Sequence, residues 1–484
     1  FDKDKIDDLN IDFPYSYFKD LVDFFSMYNF TIDENDPEDS EVGIDPEMLG
    51  HIFENLLEDN KDKGVFYTPK EIVQYMSKES IAQYLKAHTN DGWNEAVDNL
   101  IRKGIVDVSL QDKNSARMIY KLLLDIKVCD PAIGSGAFPM GVLNVLYHTR
   151  QLLYGFIKTK EEFSPANIKR DIIQNNIFGV DIEQGAVDIA RLRFWLALIV
   201  DETYPQPLPN LDYKIVCGNS LLNRYGLEEH LNDVFKDYNE QHDEEEQMSL
   251  EKYKQLVAKF TNTSDHIAKA KFKKTIDCIK SIFRHDLSDR ERYKLRKLRG
   301  RMIDLESPSL FERTKQEKDL LKKLTKQLKE LEKEQADLEC NKLYEDAFEW
   351  RFEFPQLLDD DGNFVGFDLI IGNPPYGAKL SKEEKKICKE RFSDVHMRTP
   401  ETSCYFISQA LRLATSNNAI VTYIVPNNMF FQNENEKTRE MLAFKNQLIR
   451  AINLGDNTFE NADVPTCIFI CKTGLSSEYS IQYS

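Results

Sequence analysis

Seven short apolar runs of the β type are spread along the chain and separated by helical stretches. The runs cover residues 126–130, 177–181, 213–217, 367–372, 419–425, 449–454 and 467–471. Most are continuously apolar, as strands buried on both faces must be. Between two of them, residues 185–200 carry apolar side chains at helical spacing. This alternation predicts βαβ units, so we expect an α/β fold with one seven-stranded, mostly parallel, Rossmann-like sheet.

Two stretches do not follow this alternation. Residues 1–62 are acidic with helical patches, and residues 224–350 contain no β-type run. In the second stretch, leucine and methionine recur at three- and four-residue spacing at Leu295, Leu298, Met302, Leu305, Leu321, Leu324, Leu328 and Leu331. This spacing predicts a coiled-coil-like helical hairpin inserted between the third and fourth strands. We therefore expect an N-terminal segment (1–62), a split catalytic domain (63–223 and 351–484) and a helical insertion (224–350).

The formal charge of −19 is unevenly distributed along the chain. Residues 1–62 hold 19 acidic and four basic side chains, whereas residues 269–301 hold 13 basic and four acidic ones. An acidic total therefore does not exclude DNA as a partner. The charges of the insertion fit either a solvated coiled-coil face or a DNA contact.

Other classes of protein are disfavoured by composition. The longest apolar run, residues 194–200, is far shorter than the roughly 20 residues of a membrane span. The eight cysteines form no C-x-x-C pair, which favours free thiols in a cytoplasmic protein over disulfides or a metal site. The chain begins without methionine, so we expect a fragment of a longer protein.

The first β-type run ends in the sequence DPAIGSGAF, residues 130–138. Because glycine tolerates positive φ and lacks a Cβ, such a turn lets backbone amides approach a ligand closely. The next β-type run ends in Asp181, where a carboxylate can hold both hydroxyls of a ribose. The third is followed by the polar turn 218–220. These features predict a nucleotide-like cofactor at the carboxyl ends of the strands.

The sharpest motif is Asn373-Pro374-Pro375-Tyr376, directly after the fourth apolar run. Two prolines fix the backbone and lack N–H groups, so the preceding carbonyls stay rigid and able to accept. The Asn373 amide oxygen and a proline carbonyl make two acceptors, which suit an exocyclic NH2 group. Tyr376 adds an aromatic face for a planar substrate. We predict these four residues to be catalytic.

These motifs in this order resemble those of the amino-group DNA methyltransferases. The resemblance rests on GVFYTP (64–69), DPAIGSGAF (130–138), GVDI (179–182), GNS (218–220), NPPY (373–376) and TFENADVPTCIFI (458–470). The order is similar to that of adenine-N6 enzymes of the gamma arrangement, whose fold is that of class I methyltransferases. Residues 176–202 and 350–358 resemble type IIG restriction–modification proteins most, and PglX-like phage-defence methyltransferases next.

The resemblance implies S-adenosylmethionine as the cofactor. The residues implied to bind it are Phe66, Thr68, Asp130, Gly134, Ser135, Gly136, Asp181, Ile182 and Asn219. Asp130 and the turn amides would hold the methionine part, and Thr68 would reach its carboxylate. Asp181 would bind the ribose and Ile182 would pack on the adenine. Asn219 would face the adenine amino group, although the commonest pattern has Asp there.

For the substrate, the resemblance implies a flipped-out adenine in double-stranded DNA. Asn373 and the Pro374 carbonyl would hold its N6, while Tyr376 and Phe459 would stack on the base. It also implies a nuclease and a target-recognition domain outside this chain. Without that recognition domain, the chain should bind DNA weakly, without sequence preference and with a steep salt dependence. RNA adenine, a protein glutamine amide and a non-catalytic cofactor-binding scaffold are the alternatives.

Overall fold

The computed structural model describes most of the sequence motifs named above but not every residue of the chain. It covers residues 68–157, 163–202, 206–223, 247–263, 266–285, 323–329, 347–398, 401–455, 464–476 and 479–484, with a few isolated residues between them. Phe66, most of the acidic segment 1–62 and most of the predicted coiled coil lie outside the described residues. The domain boundaries expected at 62, 223 and 350 stay predictions.

All seven apolar runs form strands of a single sheet. The strands are β1 (Val128–Asp130), β2 (Ile177–Asp181), β3 (Ile215–Cys217), β4 (Leu369–Gly372), β5 (Ile420–Pro426), β6 (Gln447–Gly455), β7 (Thr466–Lys472) and β8 (Gln482–Tyr483). Their order is β3-β2-β1-β4-β5-β7-β6-β8. The pairing is parallel except where β7 lies antiparallel to β5 and β6. The predicted α/β class is confirmed.

The predicted strand count of seven is wrong, because β8 adds an edge strand parallel to β6. β8 has two residues, both exposed. So short and exposed a strand carries no apolar run, and the hydrophobic pattern that found the other seven therefore missed it.

The α-helices that the structure describes are numbered in chain order. They are α1 (Lys70–His88), α2 (Asn94–Asp98), α3 (Lys113–Asp125), α4 (Ala137–Ile157), α5 (Pro165–Asn175), α6 (Gln184–Ile199), α7 (Leu250–Asn262), α8 (His266–His285), α9 (Trp350–Glu353), α10 (Lys382–Arg391), α11 (Thr402–Leu413), α12 (Asn428–Phe431) and α13 (Glu436–Ala443). Residues 323–329 are also helical. Within the described residues, no helix combines the length and apolar composition that crossing a membrane requires.

Alternate residues of the central strands enter two hydrophobic clusters, one on each face of the sheet. Leu369 and Ile371 of β4 belong to the cluster that contains residues of α1 and α4, whereas Ile370 belongs to the cluster that contains residues of α11. Because successive side chains of a strand point to opposite faces, both faces must be covered by helices. The result is a three-layer α/β/α arrangement.

The helices α7 and α8 lie between β3 and β4 in the sequence and pack against each other. They share a third cluster with Tyr213, which precedes β3, and with Phe352 of α9. The Tyr253 hydroxyl donates to the Phe352 carbonyl at 2.8 Å, and Lys280 pairs with the buried Glu353 at 2.6 Å. These contacts attach the start of the insertion to the edge of the sheet near β3.

Candidate active site

A cavity of about 260 Å³ opens at the carboxyl ends of the four parallel strands β1 to β4. It is lined by residues that end or follow these strands and by a residue shortly before α1: Thr68, Asp130, Gly134, Asp181, Ile182, Gly218, Asn219, Asn373 and Pro375. Ligands of open α/β sheets bind at this edge because the strand ends and helix starts meet there. The glycine-rich turn and the start of NPPY therefore share one cavity, although they are far apart in the sequence.

Asp130 is the most buried charged group of this cavity. Its side chain is 1% exposed, and its Oδ1 accepts from the Ala132 amide at 3.0 Å. Among the described residues, its Oδ2 has no hydrogen-bond partner. Burial raises the pKa of the Asp130 carboxyl well above its usual range, and the nearby charge of Asp181 adds to this shift. A cationic ligand group would therefore be favoured here, because it would compensate the buried carboxylate.

The Asp181 carboxylate, at the end of β2, connects this strand to the glycine-rich turn by accepting backbone hydrogen bonds. Its Oδ2 accepts from the Gly134 amide at 2.8 Å, and its Oδ1 accepts from the Glu183 amide at 2.9 Å. Gly134 and Gly136 have φ values of +54° and +91°, which side-chain-bearing residues rarely adopt. The carboxylate is thus held rigidly at the cavity wall by two backbone amides.

The three turn residues predicted to bind the cofactor are not all exposed to the cavity. Gly134 lines the cavity, whereas Ser135 and Gly136 are buried and are not part of its lining. The Gly136 amide donates to the Ile133 carbonyl, and the Ser135 carbonyl accepts from Arg193. A Cβ on Gly136 would lie 3.2 Å from that of Ala190. Gly136 therefore lets α6 pack closely on the turn.

Another part of the cavity is lined by the apolar side chain of Ile182 and the polar side chain of Asn219. Ile182 lines it with a side chain that is 50% exposed, although it is a large apolar group. Asn219 follows β3, and its Oδ1 accepts from the Leu221 amide at 3.1 Å. Its Nδ2 donates to Oε1 of Glu384, a cavity residue of α10, at 3.4 Å. Sequence reasoning missed Glu384, since nothing in the pattern links residues 165 positions apart.

The NPPY loop is held from both sides. The Asn373 side chain donates from Nδ2 to Oγ1 of the buried Thr68 at 3.2 Å. On the other side, Thr402 Oγ1 donates to the Pro375 carbonyl at 2.7 Å, and the Gly377 amide donates to Glu401 at 2.7 Å. The start of α11 thus fixes the loop, and Thr68 orients the Asn373 amide.

Tyr376 and Phe459 are both buried in this structure. They are 5% and 4% exposed, belong to the same hydrophobic cluster and do not line the cavity. Burial raises the pKa of the Tyr376 hydroxyl, and the nearby Asn373 side chain opposes that shift. The predicted stacking of these rings on a base would require them to be uncovered first.

Comparison with known proteins places these features in a family. Residues 175–459, which include β2 to β6 and the NPPY loop, match the model of the Eco57I restriction-modification methylases. The chain belongs to the Eco57I family. The predicted resemblance to adenine methyltransferases of type II restriction–modification enzymes is therefore confirmed.

Two curated relatives of this Eco57I-family chain have similar sequences. A putative type II restriction enzyme and methyltransferase of Methanocaldococcus jannaschii is 28% identical over 93% of this chain and 39% of its own length. The adenine-specific methyltransferase PglX of Lacticaseibacillus casei is 24% identical over 37% of this chain and 16% of its own length. The chain thus spans about two fifths of the first relative.

Solved structures with similar folds have lower identity. The type IIL restriction-modification enzyme MmeI in complex with DNA is 14% identical, with 91% of this chain and 42% of that chain covered and a TM-score of 0.46. A putative class I S-adenosylmethionine-dependent methyltransferase of Listeria monocytogenes is 10% identical, with 91% and 92% covered and a TM-score of 0.33.

Close packing at the end of β4 gives a testable prediction. A Cβ on Gly372 would lie 2.6 Å from Oδ1 of the buried Asp130. We expect Gly372→Ala to lower the free energy of unfolding by about 1–3 kcal/mol, because overpacking a buried site forces its neighbours to shift. Chemical denaturation measures this value. The matched control is Gly155→Ala in α4, where no atom lies within 4 Å of the added Cβ. If both variants retained wild-type stability, the Asp130 packing would be looser than the structure has it.

Proposed function

We propose that this Eco57I-family chain transfers a methyl group from S-adenosylmethionine to N6 of adenine in double-stranded DNA, as the modification part of a restriction–modification protein. The observation that carries this proposal is the shared cavity, in which the carboxylates Asp130 and Asp181 lie with the amide of Asn373. The family membership supports the reaction class and the adenine target.

The cavity residues fit S-adenosylmethionine. The unpartnered, buried Oδ2 of Asp130 suits the cationic methionine part, and Asp181 suits the two ribose hydroxyls. The exposed face of Ile182 suits the flat adenine ring. When bound, the cofactor supplies a methyl group made electrophilic by its sulfonium. Thr68, which lines the same cavity and accepts a hydrogen bond from Asn373, can position the carboxylate of the methionine part.

The NPPY loop would bind the adenine amino group, which is the acceptor of the methyl group. An adenine amino group is a poor nucleophile because its lone pair is delocalised into the ring. The Asn373 Oδ1 and the Pro374 carbonyl would accept its two hydrogens and favour the pyramidal geometry in which the lone pair can attack. Because the donor methyl is already activated, positioning and electrostatics provide most of the rate. No general base is needed before the attack.

An adenine within a duplex must leave the base stack to reach Asn373. Flipping costs a few kcal/mol, and stacking on aromatic side chains offsets part of that cost. We assign this stacking to Tyr376 and Phe459. Both rings are covered in the structure, so the proposal requires them to become accessible when the base enters.

The acceptor is tested by offering three substrates to the full chain with methyl-labelled S-adenosylmethionine. We expect transfer to adenine-containing duplex DNA, and little or none to single-stranded RNA or to a glutamine-containing peptide. Preferred labelling of the RNA or the peptide would replace the DNA assignment with one of these alternatives. Cofactor binding without transfer to any acceptor would favour a scaffold role.

Substitutions at Tyr376 test the stacking role. Tyr376→Phe keeps the ring and should lower the methyl-transfer rate by no more than about 10-fold, since a single neutral hydrogen bond contributes roughly 0.5–1.5 kcal/mol. Tyr376→Ala removes the stacking face and should be severe, because base–aromatic stacking contributes about 1–3 kcal/mol per base. Single-turnover assays separate the two variants. Equal damage from both would show that the hydroxyl, which lies near Asn373, is the active feature.

A further inference from the structure

Glu384 reaches the cofactor cavity from α10, on the far side of the NPPY loop from β4. Its half-buried side chain lines the cavity, and its Oε1 lies 3.4 Å from Nδ2 of Asn219 at the end of β3. Ile182, with its exposed face, lines the same cavity. A carboxylate, a carboxamide and a partly exposed apolar side chain therefore line one pocket.

The start of α10 fixes the orientation of this carboxylate. Ser381 and Glu384 form a capping box, in which the Glu384 amide donates to Ser381 Oγ at 3.1 Å. The Ser381 amide donates in turn to Glu384 Oε2 at 2.8 Å. Because Oε2 is bound by the backbone, Oε1 is the oxygen directed toward Asn219 and the cavity.

Asn219 presents a donor rather than an acceptor to this part of the cavity. Its Oδ1 accepts from the Leu221 amide, so its Nδ2 is turned to Glu384. A ligand group that carries N–H donors would therefore find its acceptor in the Glu384 carboxylate. The Asn219 amide orients that carboxylate and shares its oxygen.

We propose that Glu384 accepts a hydrogen bond from the 6-amino group of the cofactor's adenine and thereby selects adenine over 6-oxopurines. This assignment rests on the proposed function, because it needs S-adenosylmethionine in the cavity. A 6-amino group offers two hydrogens to the carboxylate. A 6-oxo group would place a second acceptor against it, and unpaired polar groups in a binding site are rejected strongly.

The test uses Glu384→Gln, which keeps the length and the capping box but replaces the carboxylate with an amide that can also donate. Calorimetry measures the binding of S-adenosylhomocysteine and of its 6-oxo counterpart, S-inosylhomocysteine. We expect Glu384→Gln to weaken binding of the adenosyl ligand by roughly 10-fold, as the loss of one charge-assisted hydrogen bond implies. The preference for the adenosyl over the inosyl ligand should shrink by at least the same factor.

The matched control is Glu383→Gln, which changes the neighbouring exposed carboxylate of the same helical turn and is expected to leave both affinities unchanged. A purely structural role of Glu384 would weaken both ligands equally. If Glu384→Gln left the ratio of adenosyl to inosyl affinity unchanged, the assignment would be overturned. Binding of S-adenosylhomocysteine by the wild-type chain would in that case leave the proposed function intact. Failure of the wild type to bind either ligand would overturn both.

Discussion

Replacing Asn373 with alanine is expected to lower the methyl-transfer rate by roughly 10²–10³-fold while leaving cofactor affinity nearly unchanged. The substitution removes one of the two acceptors for the adenine amino group, and loss of one preorganised hydrogen-bonding group at a reacting centre typically costs about 2.7–4 kcal/mol. Asp130 and Asp181, which we propose to hold the cofactor, lie at the ends of other strands and keep their own hydrogen bonds. Single-turnover kinetics give the rate, and calorimetry gives the affinity.

The matched variant for this experiment is Asn373→Asp. It keeps an acceptor oxygen at the same place, and the Thr68 hydroxyl, which accepts from Asn373 in the wild type, can rotate and donate to it. We therefore expect Asn373→Asp to retain clearly more activity than Asn373→Ala. Equal loss in both variants, with the fold intact, would contradict the acceptor role.

Replacing Asp181 with alanine should weaken S-adenosylmethionine binding by roughly 10²- to 10⁴-fold, because it removes the hydrogen bonds to both ribose hydroxyls. Each charge-assisted hydrogen bond to a ribose hydroxyl contributes roughly 1.5–3 kcal/mol. The variant also leaves the Gly134 and Glu183 amides without their acceptor, so part of the loss comes from a loosened glycine-rich turn. Calorimetry measures the affinity, and circular dichroism checks the fold.

Asp188→Ala is the control for this prediction. Asp188 is an exposed carboxylate of α6, one turn beyond Gln184, with which it is hydrogen-bonded. Its removal changes the net charge by the same amount and should leave cofactor affinity unchanged. Wild-type affinity in a folded Asp181→Ala variant would refute the ribose assignment.

The strands could be predicted because the sheet is covered by helices on both faces. β2 and β4 are continuously apolar for that reason, and the acid at the end of β2 and the loop after β4 then follow at the same edge of the sheet. The edge strand β8 could not be predicted, since two exposed residues have no such pattern. The fold could therefore be predicted wherever burial requires a run of apolar residues.

The site was predictable in its motifs but not in its contacts. The bond between Thr68 and Asn373 joins residues 305 positions apart, and Glu384 reaches Asn219 from a helix of the other half of the domain. Such contacts depend on how the loops pack and leave no local signal. The same limit applies to Gly136, whose amide donates to the Ile133 carbonyl and whose Cα packs against Ala190 of α6.

The most direct test of the account is the identity of the methylated nucleoside. The full chain is incubated with duplex DNA and S-adenosylmethionine, the DNA is digested, and the nucleosides are quantified by mass spectrometry beside the Asn373→Ala variant. We expect N6-methyladenine as the product of the wild type and its near absence with the variant. N4-methylcytosine as the product, or equal N6-methyladenine from both proteins, would contradict it.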